Sequence, residues 1–255
     1  PTTSSQIYLK DMLDDSIDMI SVNTTQSEGG TGDSNRPSMS PGGQYIVFDS
    51  VAGSSIVSGA STTRSVYIYD STAPTPIELV SVDNLDNQGN GASINASVSD
   101  NGNFIAFESK ASNLVTGGTT GSDIYRRDRS GNETLLVSTP DGISSGNADS
   151  TASSISADGT FIAFESLASD LVFDGTNGLS HIFVRDLSSM PTVTIERINI
   201  PQSFIGEATN NSTNAAISAD GRYVSFDSAY DYDDVNDTNT IDDVYRSHNT
   251  TFVSP

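Results

Sequence analysis

The chain has 255 residues, 33 of them acidic against 11 lysines and arginines, a net charge of −22 and no cysteine. Phosphate binding needs clustered cations, so this balance argues against a nucleic-acid or anionic-membrane surface and points to neutral or cationic partners. Without thiols there is no disulfide framework, no cysteine nucleophile and no Cys-based zinc site.

Two short strands are predicted first, Ile7–Asp11 and Asp18–Val22, joined by a polar turn. A unit then begins that occurs four times. Its strand A is short and rich in small residues: Pro37–Ser40, Ala96–Ser99, Ser153–Ser156 and Ala215–Ser218. Alternation along it sends Met39, Val98, Ile155 and Ile217 into the contact between neighbouring sheets. A turn ending in Gly43, Gly102, Gly159 or Gly221 leads into strand B, which is Tyr45–Phe48 in the first unit. Strand C follows as Val66–Asp70, Ile124–Asp128, Ile182–Asp186 and Val244–His248, with Ile7–Asp11 an earlier copy. Strand D is Ile77–Val82, Thr134–Ser138, Thr194–Ile198 and Thr251–Ser254, with Asp18–Val22 before them. The turn glycines lie 59, 57 and 62 residues apart, a period of one supersecondary unit that is stacked or arranged radially.

A four-stranded antiparallel sheet recurring in this order is a propeller blade. The predicted fold is all-β, a β-propeller with four complete four-stranded blades plus an N-terminal half-blade, part of a larger or partner-completed ring. It is a single array over 1–255: half-blade 1–25, then blades at about 34–83, 93–139, 150–200 and 212–255. Five C–D pairs face only four A–B pairs, so the inner edge of the first pair is open to pairing. A segment of a longer propeller, a hairpin from another chain, or a genuine two-stranded blade would each account for it, and the first is favoured. The opening Pro1-Thr2-Thr3-Ser4-Ser5 lacks the basic and apolar regions of a signal peptide, as expected of a mature or trimmed chain.

The run Ser156-Ala-Asp-Gly-Thr-Phe-Ile-Ala-Phe-Glu-Ser166, followed by Asp170-Leu-Val172, a polar loop and Ile182-Phe-Val-Arg-Asp186, resembles the WD40-like or PD40 repeat of TolB-like β-propellers. Ser99 to Asp128 matches nearly as well. The first unit departs at Pro41-Gly42, and the last replaces the closing aspartate with His248. The resemblance covers essentially the whole chain and implies a periplasmic or extracytoplasmic setting.

Chemistry is most plausible in the B–C loops. The resembling family often carries Asp-x-Asn-x-x-x-Asp there, and the last unit has Asp237, Asn239, Asp242 and Asp243. Such oxygens on a tight loop can surround Ca2+, although Asp and Asn also stabilise turns without metal. Tyr230 and Tyr232 in the same acidic loop, and Phe204 in the long connection after strand D, are candidate ligand contacts. Asp49, Glu108, Glu165 and Asp227 share one repeat position, and that symmetry favours a structural role over catalysis, which separates acid from base by environment. His181 and His248 replace repeat aspartates and are expected to face solvent. No catalytic residue is assigned.

The leading functional reading is a non-enzymatic extracellular or cell-surface propeller scaffold or binding module, calcium-stabilised, with a protein or glycan partner on a loop face. It has no nucleic-acid partner and no membrane insertion. One alternative is the propeller segment of a secreted hydrolase, a glycosidase or a peptidase-associated unit. The other is a self-assembling structural subunit completed by strand donation from a neighbouring chain.

Overall fold

The computed structural model describes residues 4–116, 121–173, 177–188, 192, 194–200, 210–229 and 243–248. Seventeen strands lie within them. The first two, β1 (Tyr8–Lys10) and β2 (Ile17–Met19), form a two-stranded antiparallel sheet. Three four-stranded sheets follow in chain order: β3 (Ser34–Met39), β4 (Tyr45–Ser50), β5 (Ser65–Asp70) and β6 (Ile77–Leu79); β7 (Ser93–Val98), β8 (Phe104–Ser109), β9 (Asp123–Asp128) and β10 (Glu133–Leu136); and β11 (Ser150–Ile155), β12 (Phe161–Ser166), β13 (His181–Asp186) and β14 (Thr194–Arg197). The last sheet contains β15 (Ser212–Ile217), β16 (Tyr223–Ser228) and β17 (Asp243–His248), and its predicted fourth strand lies outside the described residues. One 3-10 turn, Gly53–Ser55, is the only helical element among the described residues. Sequential antiparallel pairing within each sheet, with each sheet packed on the next, is the predicted blade architecture.

The repeated serines now have a reason. Ser40, Ser99, Ser156 and Ser218 each accept a bond from the backbone N–H of the strand-B aromatic, at 3.2, 3.0, 2.9 and 2.9 Å, closing the hairpin turn. The serine ending strand B bonds the serine opening strand A, in the pairs Ser34 with Ser50, Ser93 with Ser109, Ser150 with Ser166 and Ser212 with Ser228. The turn glycines have φ of 71°, 67°, 76° and 74°, a conformation that costs glycine no steric penalty.

Two expectations need correction. Each strand A starts three residues earlier than predicted, because a β-bulge interrupts its alternation. The register shifts between Asn35 and Ser38, Ile94 and Ser97, Thr151 and Ser154, and Thr213 and Ala216. Met39 is 59% exposed, although Ile155 is buried between sheets and Val98 and Ile217 pack against cores there. Among the described residues no inner hairpin precedes β3 to cover it.

Each blade locks onto the next. Val47, Val66 and Ile68 of one blade share a core with Ala96, Ile105, Phe107 and Tyr125 of the following blade, and the pattern recurs along the chain. At the turns, the Cα of Gly102 lies under the Tyr45 ring, Gly159 under Phe104 and Gly221 under Phe161, so close that a Cβ would strike the ring. Within blades, strand-B and strand-C rings stack at 5.8 Å in the pairs Phe48 with Tyr67, Phe107 with Tyr125, Phe164 with Phe183 and Phe226 with Tyr245. Blade packing is therefore the role of these strand-C aromatics.

Candidate functional site

The bulges of β3, β7, β11 and β15 converge on one shallow, open depression of about 440 Å3, lined among others by Arg36, Asn95, Ala152 and Asn214. Those four residues are the left-handed positions of the bulges, with φ of 50°, 52°, 51° and 57°. Bulges re-aim side chains, and non-glycine residues at positive φ need support from their surroundings. The support comes from the strand-B carboxylates. Arg36 Nη1 donates to Asp49 Oδ1 at 2.8 Å, and Arg64 pairs with the other oxygen. Asn95 Nδ2 donates to Glu108 Oε2 at 3.0 Å, and Ser122 Oγ donates to Oε1 at 2.8 Å. Asn214 Nδ2 donates to Asp227 Oδ2 at 2.7 Å.

Blade three breaks the pattern. Its bulge residue is Ala152, which has no side-chain donor, and Glu165 instead accepts the backbone N–H of Asn214 from the next blade at 2.6 Å. Burial is the main influence raising the Glu165 pKa, and the neighbouring charges of Glu108 and Asp227 push the same way, against the Asn214 bond. The row is thus a set of acceptors held by protein donors, two each for Asp49 and Glu108 and one each for Glu165 and Asp227. Of the bonds expected of the four carboxylates, to backbone or to a neighbouring blade, only Glu165 makes one, whereas Asp49, Glu108 and Asp227 accept from side chains of their own blades. The bulge donors escaped sequence reading; their signal is the constant offset of 13 residues from Arg36, Asn95 and Asn214 to their carboxylates.

Of the predicted calcium ligands, only Asp243 falls within the described residues. It opens β17 opposite Ser228 and is half-buried. Asp237, Asn239, Asp242, Tyr230, Tyr232 and Phe204 lie outside them. Among the described residues no group of three or more His, Cys, Asp or Glu side chains could hold a metal ion.

His181 is a further correction, for it is fully buried and not solvent-facing. Asn199 fixes its ring. The Asn199 Oδ1 accepts the Ile182 N–H at 3.1 Å, leaving Nδ2 to donate to His181 Nδ1 at 2.9 Å and to Ser212 Oγ at 2.9 Å. The remaining nitrogen, Nε2, meets Asn177 Oδ1 at 3.1 Å. Asn199 here occupies the position where Ser21, Ser81 and Ser138 accept the first strand-C N–H of their blades. Among the described residues both ring nitrogens of His181 are met by asparagines, a buried polar junction within the blade.

The D-to-A loops form an ordered edge. Asp83 Oδ1 accepts from the N–H groups of Leu85 and Asn87, and Asp141 Oδ1 from those of Ile143 and Ser144. The loops are also tied to the next blade: Asn90 exchanges bonds with Ser112 and Asn113, and Asn147 with Ser169 and Asp170. These turns hold Leu85 and Ile143 outward, at 81% and 71% exposure. Of the apolar residues in such loops, Phe204 is the one named from sequence, and neither Leu85 nor Ile143 is.

Fold and site together define a β-propeller array. The chain is similar in structure to TolB from Acinetobacter baumannii, with a TM-score of 0.51 and 17% identity over 95% of this chain and 48% of that one. It is also similar to the tricorn protease, with a TM-score of 0.52 and 14% identity over 89% of this chain and 21% of that one. The chain thus spans about half of the first structure's length and a fifth of the second's. At these identities the likeness is one of fold. No family model matches the sequence, and no curated protein matches it. No helix among the described residues is long and apolar enough to cross a membrane.

Proposed function

We propose that this chain is a non-enzymatic β-propeller scaffold that binds a protein or glycan partner at its D-to-A loop edge, in an extracellular, cell-surface or periplasmic setting. One observation carries the reading: Asp-anchored turns tied to the following blade hold Leu85 and Ile143 in solvent. An exposed apolar tip on a rigid loop suits recognition, because little ordering entropy is lost on contact. The carboxylate row supports the non-catalytic side of the proposal, since its members are occupied with bulge and inter-blade donors. The setting is supported by the resemblance of the repeat to TolB-like propellers, and calcium bound by Asp237, Asn239, Asp242 and Asp243 belongs to the same proposal.

The test sets the native chain beside a Leu85→Asp/Ile143→Asp variant on a glycan array and against fractionated cell-envelope protein, with a panel of chromogenic glycosides and peptides run in parallel. Binding by the native chain that drops at least tenfold in the variant, at equal melting temperature, supports the proposal. Equal binding by both proteins, or turnover of any substrate that Glu165→Gln abolishes, contradicts it. For calcium, a melting temperature unchanged between chelator and excess calcium removes that part of the proposal.

A further inference from the structure

Two successive junctions between sheets differ at corresponding positions. Where the β3–β6 blade meets the β7–β10 blade, guanidinium groups of the later blade bond acids of the earlier one. Arg127 Nη2 donates to Asp86 Oδ1 at 2.8 Å and its Nη1 to the Asp83 carbonyl at 3.2 Å. Arg129 Nη2 donates to Glu78 Oε2 at 2.7 Å, and Thr134 Oγ1 to the Val82 carbonyl at 2.6 Å. At the junction of the β1–β2 sheet with the β3–β6 blade, the strand registers put Tyr69 in the place of Arg127, Ile77 in that of Thr134 and Asp18 in that of Glu78. Ser71 follows its strand where Arg129 follows the next, each N–H bonded to the residue before strand B, Gln44 or Asn103. Both arginines are thus replaced while an acid remains. Glu28 adds a second acid on the same loop edge, and among the described residues neither Asp18 nor Glu28 has an ion-pair partner. Lys10, close by in the β1–β2 sheet, is paired with Asp15.

The space at this junction has an apolar half as well. A half-open cleft of about 390 Å3 has Val22, Ile56, Val57, Pro76 and Ile77 among its walls. It adjoins a hollow of about 330 Å3 lined by Asp18, Glu28 and Tyr69, and Val22, Gln26 and Pro76 line both. We propose that cleft and hollow form one binding site for a small organic cation with an apolar body, a guanidinium or amidinium on an alkyl or aryl group. The body occupies the cleft, which has the volume of a small-ligand pocket. The cation occupies the hollow, where the carboxylates of Asp18 and Glu28 attract it and the Tyr69 ring offers a π face. The Asn23 carbonyl, counterpart of the Asp83 carbonyl that Arg127 bonds, stands at the cleft as a further acceptor. The choice of a guanidinium follows from the neighbouring junction, where the corresponding positions hold two of them. The walls are preformed, because the Thr24 N–H bonds the Ser55 carbonyl at 2.9 Å and ties the loop to the turn that carries Ile56. Neither Leu85 nor Ile143 takes part, so this inference stands independently of the loop-edge proposal.

The test is calorimetric titration of the full chain with hexylguanidinium beside two controls. Hexylurea keeps the body without the charge, and methylguanidinium keeps the charge without the body. The expected result is saturable binding of one equivalent of hexylguanidinium, at least tenfold tighter than either control. Tyr69→Arg restores the side chain found at the next junction and should abolish that binding. Asp18→Asn/Glu28→Gln should weaken it at least tenfold. Because Asp18 and Glu28 are exposed, the second variant folds as the parent does, and it keeps the test decisive if Tyr69→Arg disturbs the blade. Equal affinity for hexylguanidinium and hexylurea would overturn the proposal. So would uptake of many equivalents that the Asp18→Asn/Glu28→Gln variant leaves unchanged, which would show attraction to the net charge of −22 alone.

Discussion

Single residues decide how tightly the blades interlock, and glycine substitutions measure it. Gly43→Ala should cost roughly 1–2 kcal/mol, the penalty of a side chain at φ 71° with open space around it. Gly159→Ala meets the same backbone penalty and in addition drives its methyl into the Phe104 ring, so it should cost a further ~1–3 kcal/mol by overpacking. Equal losses in urea denaturation would mean that the aromatic-over-glycine contact contributes nothing. Glu165 offers a pH-dependent case. Its folded-state pKa is raised, mainly by burial, so the fold favours the protonated form; the associated stability is complete at low pH and is lost as pH rises through the folded value. Glu165→Gln should therefore raise the melting temperature at pH 7 and leave it unchanged at pH 3. An increase of the same size at both would point to packing and not to charge.

Strands and hairpins were the most legible elements, because each repeat states its turn, its apolar run and its closing serine in one contiguous stretch. The bulges were not legible, since a residue at positive φ such as Ala152 looks like any other small strand residue until its register partners are known. His181 was misplaced for a related reason: its burial depends on Asn199, 18 residues away, taking over a position that three other blades give to serine. Of the candidate site, the carboxylates were legible and their donors were not, because the donors lie on the far side of a hairpin. Two substitutions test the blade as a unit. Phe164→Ala removes a fully buried ring stacked on Phe183 and should cost about 3–5 kcal/mol. Ser138→Ala strips both the Ile124 N–H and the buried Asp123 carboxylate of a partner and should cost about 1–3 kcal/mol. Losses under half a kcal/mol in either would contradict the packing described.

At the scale of the molecule, each of the three four-stranded sheets among the described residues shares an apolar core with both of its neighbours. The first and last described sheets share a core with one described neighbour each, and Val244 is 77% exposed although its counterparts Val66, Ile124 and Ile182 are fully buried. Repeat proteins draw their stability from each unit plus its contacts with neighbours, so the middle sheets should be the most stable and the first and last described sheets the loosest. Residue-resolved hydrogen exchange on the chain tests this central claim most directly. Slow exchange through β8, β9, β12 and β13, with β1, β2 and β17 faster by at least tenfold, is the predicted pattern. Protection of β1 and β17 equal to that of β8 and β12 would contradict an array whose stability comes from the cores between neighbouring blades.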